Sequence, residues 1–131
     1  MGRGGMLGSR RMDAARTIEV VDKNNIRLIR ILGNITTDNS VEFRDCLLGV
    51  IDEGISQIVL DVERMNYINS MGIGAMVDAY NRVKQNEGAI ALIKPSKELA
   101  QLLKILRLDK LFRYVQTYDE GLEYFLKRKL L

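Results

Sequence analysis

The sequence predicts an α/β domain: a mostly parallel, mixed β-sheet that opens with an N-terminal antiparallel hairpin and carries about four helices. Three observations predict it. Two β-like runs, residues 17–21 ("TIEVV") and 26–33 ("IRLIRILG"), flank the turn sequence Asp22-Lys23-Asn24-Asn25. Two short, nearly continuous apolar runs, 57–62 ("QIVLDV") and 89–94 ("AIALIK"), have the character of strands buried on both faces. Between and after these runs, apolar residues recur at helical spacing. The order is ββαβαβαβα, which implies right-handed crossovers and parallel pairing.

Each element has its own signals. After the hairpin, "NITTDNS" is a polar loop, and Asn39-Ser40-Val41-Glu42 has capping-box form. Phe43, Leu47, Val50 and Ile51 follow at helical spacing until Gly54 stops the pattern. After the third strand comes the loop "ERMNYINS", then a helix with Ile73, Met76, Val77, Tyr80 and Val83 on one face, closed by Gly88. Pro95-Ser96 starts a third helix with Leu99, Leu102, Leu103 and Leu106 as its apolar stripe. Residues 111–116 ("LFRYVQ") form a weaker strand. Thr117 and Glu120 make another capping box, and the last helix carries Leu122, Phe125, Leu126 and Leu130.

Composition narrows the chemistry. The 131 residues suit one domain, and 47% hydrophobic with 28% charged residues is ordinary for a soluble globular chain. No apolar run approaches the ~20 residues that span a bilayer, and the start lacks the order of a signal peptide. Cys46 is the sole cysteine and there is no histidine. That excludes an intrachain disulfide, a structural zinc site and any His-based catalytic triad. The lone cysteine points to an intracellular, cytoplasmic setting, and no metal or cofactor is expected. The net charge of +3 is local: Arg3, Arg10, Arg11 and Arg16 against Asp13 account for all of it, leaving 16 basic and 16 acidic side chains in balance. Residues 1–16 are expected to be a disordered Gly/Arg-rich tail and 17–131 the folded domain, with no direct nucleic-acid binding and no membrane insertion. Cys46 reads as an inert, buried thiol and the C-terminal "LEYFLKRKLL" as a helix packed on the sheet.

In open α/β sheets ligands and partners meet the C-terminal ends of the strands. Two loops lie there, "GNITTDN" and "ERMNYINS". Gly72 and Gly74 begin a dinucleotide fingerprint, but its third glycine would fall on Val77, so that motif fails. Glycines in a first helical turn instead let a neighbouring strand or a partner approach closely; for Gly74, packing of helix on sheet explains it equally well. Asn69 or Ser70 caps the helix. A helix start also favours a phosphate, so a serine here has a second reading as a switch. Tyr67 beside it is either an interface anchor or a half-buried loop aromatic. Asp61 and Glu63 alone are weak evidence for a cation.

The segment "IVLDVERMNYINSMGIGAMV" resembles the central part of STAS domains of the anti-sigma factor antagonist type. In that family an apolar strand ends in Asp, and a short loop leads to an Asp-Ser-Ser/Thr-Gly-Leu-Gly motif. "IRLIRILGNIT" resembles the family's second strand and its Gly-Glu-Ile/Leu-Asp turn, and "GAIALIKPSKELAQLLKILRLDKLFRYVQTYDEGLEYF" its C-terminal third, so the resemblance covers about residues 17–126. It implies a regulatory domain without chemistry of its own. Such a domain binds an anti-sigma factor that is also a serine kinase, releases a sigma factor for transcription, and is reset by a phosphatase. It leaves room for a weak homodimer.

The resemblance places the partner-binding surface on Asn34, Thr36, Thr37 and Asp38 and on Asn69, Ser70, Met71, Gly72 and Gly74. Asp61 matches the strand-end Asp, but the motif's Asp is Asn69, its phosphoacceptor is Met71, and the acidic positions of the turn are Asn34 and Thr36. Three alternatives follow: phosphorylation at Ser70, modification at Thr36 or Thr37, or no phosphorylation. The last makes the chain a constitutive binder, or a scaffold or oligomerisation module, with Met71 as a soft apolar contact.

Overall fold

The computed structural model describes residues 9–11, 18–23 and 25–130. In chain order the elements are β1 (Ser9–Arg11), β2 (Ile18–Lys23), β3 (Ile26–Ile31), α1 (Ser40–Asp52), β4 (Gln57–Asp61), α2 (Ser70–Gln85), β5 (Ala89–Ile93), α3 (Lys97–Ile105), a 3-10 turn at Asp109–Leu111, β6 (Arg113–Val115) and α4 (Tyr118–Leu130). The six strands lie side by side in sequence order. The two pairings among β1, β2 and β3 are antiparallel, and β3 to β6 are parallel. The predicted architecture is therefore present, with one strand added at the front. Ser9–Arg11, inside the stretch expected to be disordered, pairs with Glu19–Val21 of β2 and covers an edge whose N–H and C=O groups would otherwise lack a partner. The rest of that stretch, residues 1–8 and 12–16, lies outside the described residues.

The period-two alternation of the strands divides the core into two layers. Ile18, Val20, Ile29, Ile31, Ile58, Leu60, Ile90 and Leu92 point to one face, where α1, α2 and α3 cover them with Phe43, Leu47, Met76, Val83, Leu99 and Leu103. Three successive crossovers of one hand between adjacent strands place their helices on the same face. Leu28, Val59, Ala91, Ile93 and Val115 point the other way and are covered by α4 through Phe125, which is 1% exposed. This is the packing expected for the last helix.

Helix ends depart from expectation in instructive ways. Leu106 is not in the α3 stripe: it is the C-cap, 45% exposed, and Arg107 turns the chain with φ +62°. Leu126, next to Phe125, faces water at 61% exposure, and the side chain of Leu130 lies outside the described residues. At the end of α2 the left-handed residue is Glu87 (φ +59°), not Gly88. Gly88 is needed for a different reason: a Cβ there would sit 1.9 Å from the Ser56 carbonyl oxygen. That close approach lets the Ala89 N–H donate to the same carbonyl at 3.0 Å and seats β5 against the start of β4. Arg27, 9% exposed within the sheet, is answered by Glu53 at 2.9 Å at the end of α1.

Candidate functional site

The loops after β3 and β4 meet at the C-terminal end of the sheet and are joined by a short parallel bridge. Ile35 and Ile68 pair across it: the Ile35 N–H donates to the Tyr67 carbonyl at 3.0 Å, and the Asn69 N–H to the Ile35 carbonyl at 2.9 Å. Both isoleucines are buried. The bridge extends the β3–β4 pairing past the strand ends and ties the two loops together.

Three asparagines complete the frame. The Asn34 side-chain oxygen accepts from the Asn66 N–H at 2.9 Å and the Tyr67 N–H at 3.1 Å, across from its own loop. Asn39 lies beneath, 8% exposed. Its oxygen accepts from the Thr36 N–H at 2.8 Å and its NH2 donates to the Asn34 carbonyl at 3.0 Å. This corrects the capping box expected at α1, where Asn39 makes no side-chain cap bond. Its amide holds the turn behind it, and the Asn39 and Ser40 N–H groups reach the Thr36 carbonyl. Asn69 does cap α2, its oxygen accepting from the Gly72 N–H at 2.9 Å. On the far side, the Ser96 hydroxyl caps α3 and also donates to the Met65 carbonyl at 3.2 Å, tying a third element to the β4–α2 loop.

Of the residues singled out in advance for partner binding, all lie on these two loops or the first turns of α2, but they do different jobs. Asn34 and Asn69 are frame members. The Thr36 hydroxyl accepts from the Asp38 N–H at 3.2 Å. Thr37 and Asp38 are exposed. Ser70 is the first residue of α2 and exposed, and Met71 follows at 45% exposure. Gly72 is buried: a Cβ there would meet Ile68 Cγ1 at 2.6 Å and Ile35 Cγ2 at 3.0 Å. The close approach expected of it is made by the protein's own bridge. Gly74 is the reverse, exposed with nothing within 4 Å of a built Cβ, so it is not a packing glycine. Tyr67, at 56% exposure, stands on the surface of the loop before α2. The residues that sequence reasoning missed are Asn39, Ile35, Ile68 and Ser96. Their spacing signalled caps and core, which conceals a long-range tie.

Asp61 belongs to a different place. It points to the opposite sheet face from α1 and α2, accepting from the Glu63 N–H at 3.2 Å, with Arg30 Nε 4.0 Å away. It helps line a groove of about 350 Å³ with Glu19, Arg30, Glu63 and Arg64. Among the described residues, no three His, Cys, Asp or Glu side chains converge as a metal set. No helix among the described residues is long and apolar enough to cross a membrane. Cys46 is half-buried on α1, against the core.

A sheet in sequential order, three helices on one face and a rigid two-loop platform at the strand ends define a small α/β domain whose exposed feature is a helix start. The STAS domain model matches residues 17–121. The chain belongs to the STAS domain family. It is similar, at 27% identity over 73 residues, to a Thermotoga neapolitana protein assigned as an anti-sigma factor antagonist; the match covers 56% of this chain and 65% of that protein, just under two thirds. Among solved structures, the unphosphorylated form of the anti-sigma factor antagonist SpoIIAA superimposes with a TM-score of 0.74 at 16% identity, over 84% of this chain and 96% of that one. The phosphorylated form of the Bacillus cell fate determinant SpoIIAA gives 0.68 at 17% identity, over 82% and 98%. At these identities the structures establish the fold.

Proposed function

We propose that this domain is an anti-sigma factor antagonist that acts by binding, in the cytoplasm, an anti-sigma factor of the serine-kinase type. It contributes a docking surface and no catalytic step. The observation that carries this reading is the start of α2: Ser70 and Met71 are exposed beside the open Gly74, on a turn held by hydrogen bonds to the Asn34 loop. A rigid, partly apolar platform is what a protein partner needs to bind without first ordering the surface.

Regulation by phosphate would act at Ser70, because the family's acceptor position is Met71. A phosphoryl group there adds roughly −1.5 to −2 charges at the centre of the platform, and a phosphatase would remove it. The test is intact mass after incubation with ATP and the kinase encoded in the same genome, together with the affinity of Ser70→Asp. A gain of one phosphate on Ser70 and at least tenfold weaker binding by Ser70→Asp support the switch. Unchanged mass with wild-type affinity for Ser70→Asp would sink it. Met71 favours a second reading, a module that is never phosphorylated and binds or oligomerises constitutively. The same mass measurement separates the two.

A further inference from the structure

We infer the chemistry of the docking partner from the charge that runs from the Asp38 loop into the start of α1; the inference rests on the docking surface proposed above. The partner presents an apolar pocket with basic side chains along the flank that lies over α1. Asp38, Glu42 and Asp45 follow one another at i, i+4 and i+7 from the turn before α1 into its second turn, with Asp38 and Asp45 exposed and Glu42 half-buried. Among the described residues none of these three carboxylates has an ion-pair partner. Arg44, which falls between Glu42 and Asp45 in sequence, is already held by Asp78 of α2 at 2.9 Å.

That ion pair also ties α1 to α2. Val41 lies one turn before Arg44 on α1, and Gly74 one turn before Asp78 on α2. Val41 is 54% exposed and Met71 45%, and a Cβ built on Gly74 would have nothing within 4 Å. The proposed face thus combines exposed apolar side chains at the starts of α1 and α2 with carboxylates on the α1 side. Hydrated in the free protein, these carboxylates are undemanding. Covered by an apolar or acidic flank they would lose water without gaining a partner. Nucleic acid and anionic lipid are repelled by the same carboxylates. A basic flank satisfies them and also steers approach, since rim charges act chiefly on the association rate.

The experiment is association kinetics with the purified anti-sigma factor kinase of the same genome, at low and physiological salt. It compares the unaltered chain, the double variant Asp38→Lys/Asp45→Lys and Met71→Asp, each first shown to be folded by circular dichroism. The double reversal is expected to slow association about tenfold or more at low salt, to flatten the salt dependence and to leave dissociation nearly unchanged. Met71→Asp is expected to speed dissociation instead. If the double variant keeps the parental association rate and salt slope while Met71→Asp still weakens binding, the basic flank is wrong and the docking surface survives. If Met71→Asp binds like the parent, or the unaltered chain does not bind at all, the docking surface itself is wrong. A dimer of this chain alone that Met71→Asp dissolves would place a second copy on the face and overturn the partner assigned here.

Discussion

The first turns of α1 and α2 are built from the same residue put to opposite uses. Each helix follows an asparagine at its N-cap, Asn39 and Asn69. Asn69 turns forward and holds the Gly72 N–H of its own helix. Asn39 turns backward and holds the Thr36 N–H and the Asn34 carbonyl of the preceding turn. At α2 the result is a locally satisfied cap on an exposed turn. At α1 it is a buried strut that fixes the loop on which Asn34 sits, and Asn34 in turn holds Asn66 and Tyr67 of the other loop. A cap motif states which residue is available to bond, not which backbone group it will choose. The choice follows from burial: inside, Asn39 must satisfy both its oxygen and its NH2, and only the turn behind it offers both partners.

The same contrast separates the two glycines of α2, and substitution there has the largest expected effect. Gly72→Val drives branched carbons into Ile68 and Ile35, and should cost about 2–3 kcal/mol, the upper part of the usual range for overpacking. Gly74→Ala meets nothing and should leave stability unchanged or raise it by up to about 1 kcal/mol through helix propensity. Urea denaturation of both variants checks the pair, and equal effects would dissolve the distinction. Next in size is Asn39→Ala, expected to cost about 1–3 kcal/mol because the part-buried Thr36 N–H and Asn34 carbonyl lose their partners. Asn69→Ala should lose only about 1 kcal/mol, an ordinary cap. Aspartate sharpens the test. Asn69→Asp keeps the acceptor at a helix start and should be tolerated. Asn39→Asp sets a carboxylate against the Asn34 carbonyl and should be clearly destabilising. Parity between the two aspartate variants in thermal melts would show that Asn39 is a plain cap after all.

The smallest expected effect lies away from both helix starts. Tyr114 and Tyr118 have phenol pKa values raised above 10.0, first by burial and then by Asp109 and Asp119 respectively. The folded state holds these protons more tightly than the unfolded chain. Their contribution is thus complete below the ordinary phenol pKa and is lost as pH rises through the raised value. Stability measured above pH 10 should fall less steeply for Tyr114→Phe than for the parent.

Much of this was legible in advance because periodicity reports local burial. The apolar runs at 57–62 and 89–94 contain the two central parallel strands, Gln57–Asp61 and Ala89–Ile93, buried on both faces as their composition demands. Ser96 and Thr117 cap their helices as their motifs imply. What escaped was of two kinds. Leu106 and Leu126 continue an apolar stripe by composition, yet the helix ends before one and the other rotates off the sheet. The strand at Ser9–Arg11 has no apolar alternation, since it is held by the free edge of β2. At the candidate site the loops could be named, but Asn34 bonding to residues 32 and 33 positions away left no local trace.

The amino-acid order alone determined the element sequence from β2 onward and the parallel centre of the sheet, because each depends on residue type and short-range spacing. The tertiary structure alone decided that Asn39 braces a loop, that Gly72 is hidden while Gly74 is open, and that Asp61 faces away from Ser70. Those outcomes depend on which distant backbone group arrives within hydrogen-bonding or van der Waals reach, and on which face of the sheet an alternating strand finally turns toward the helices.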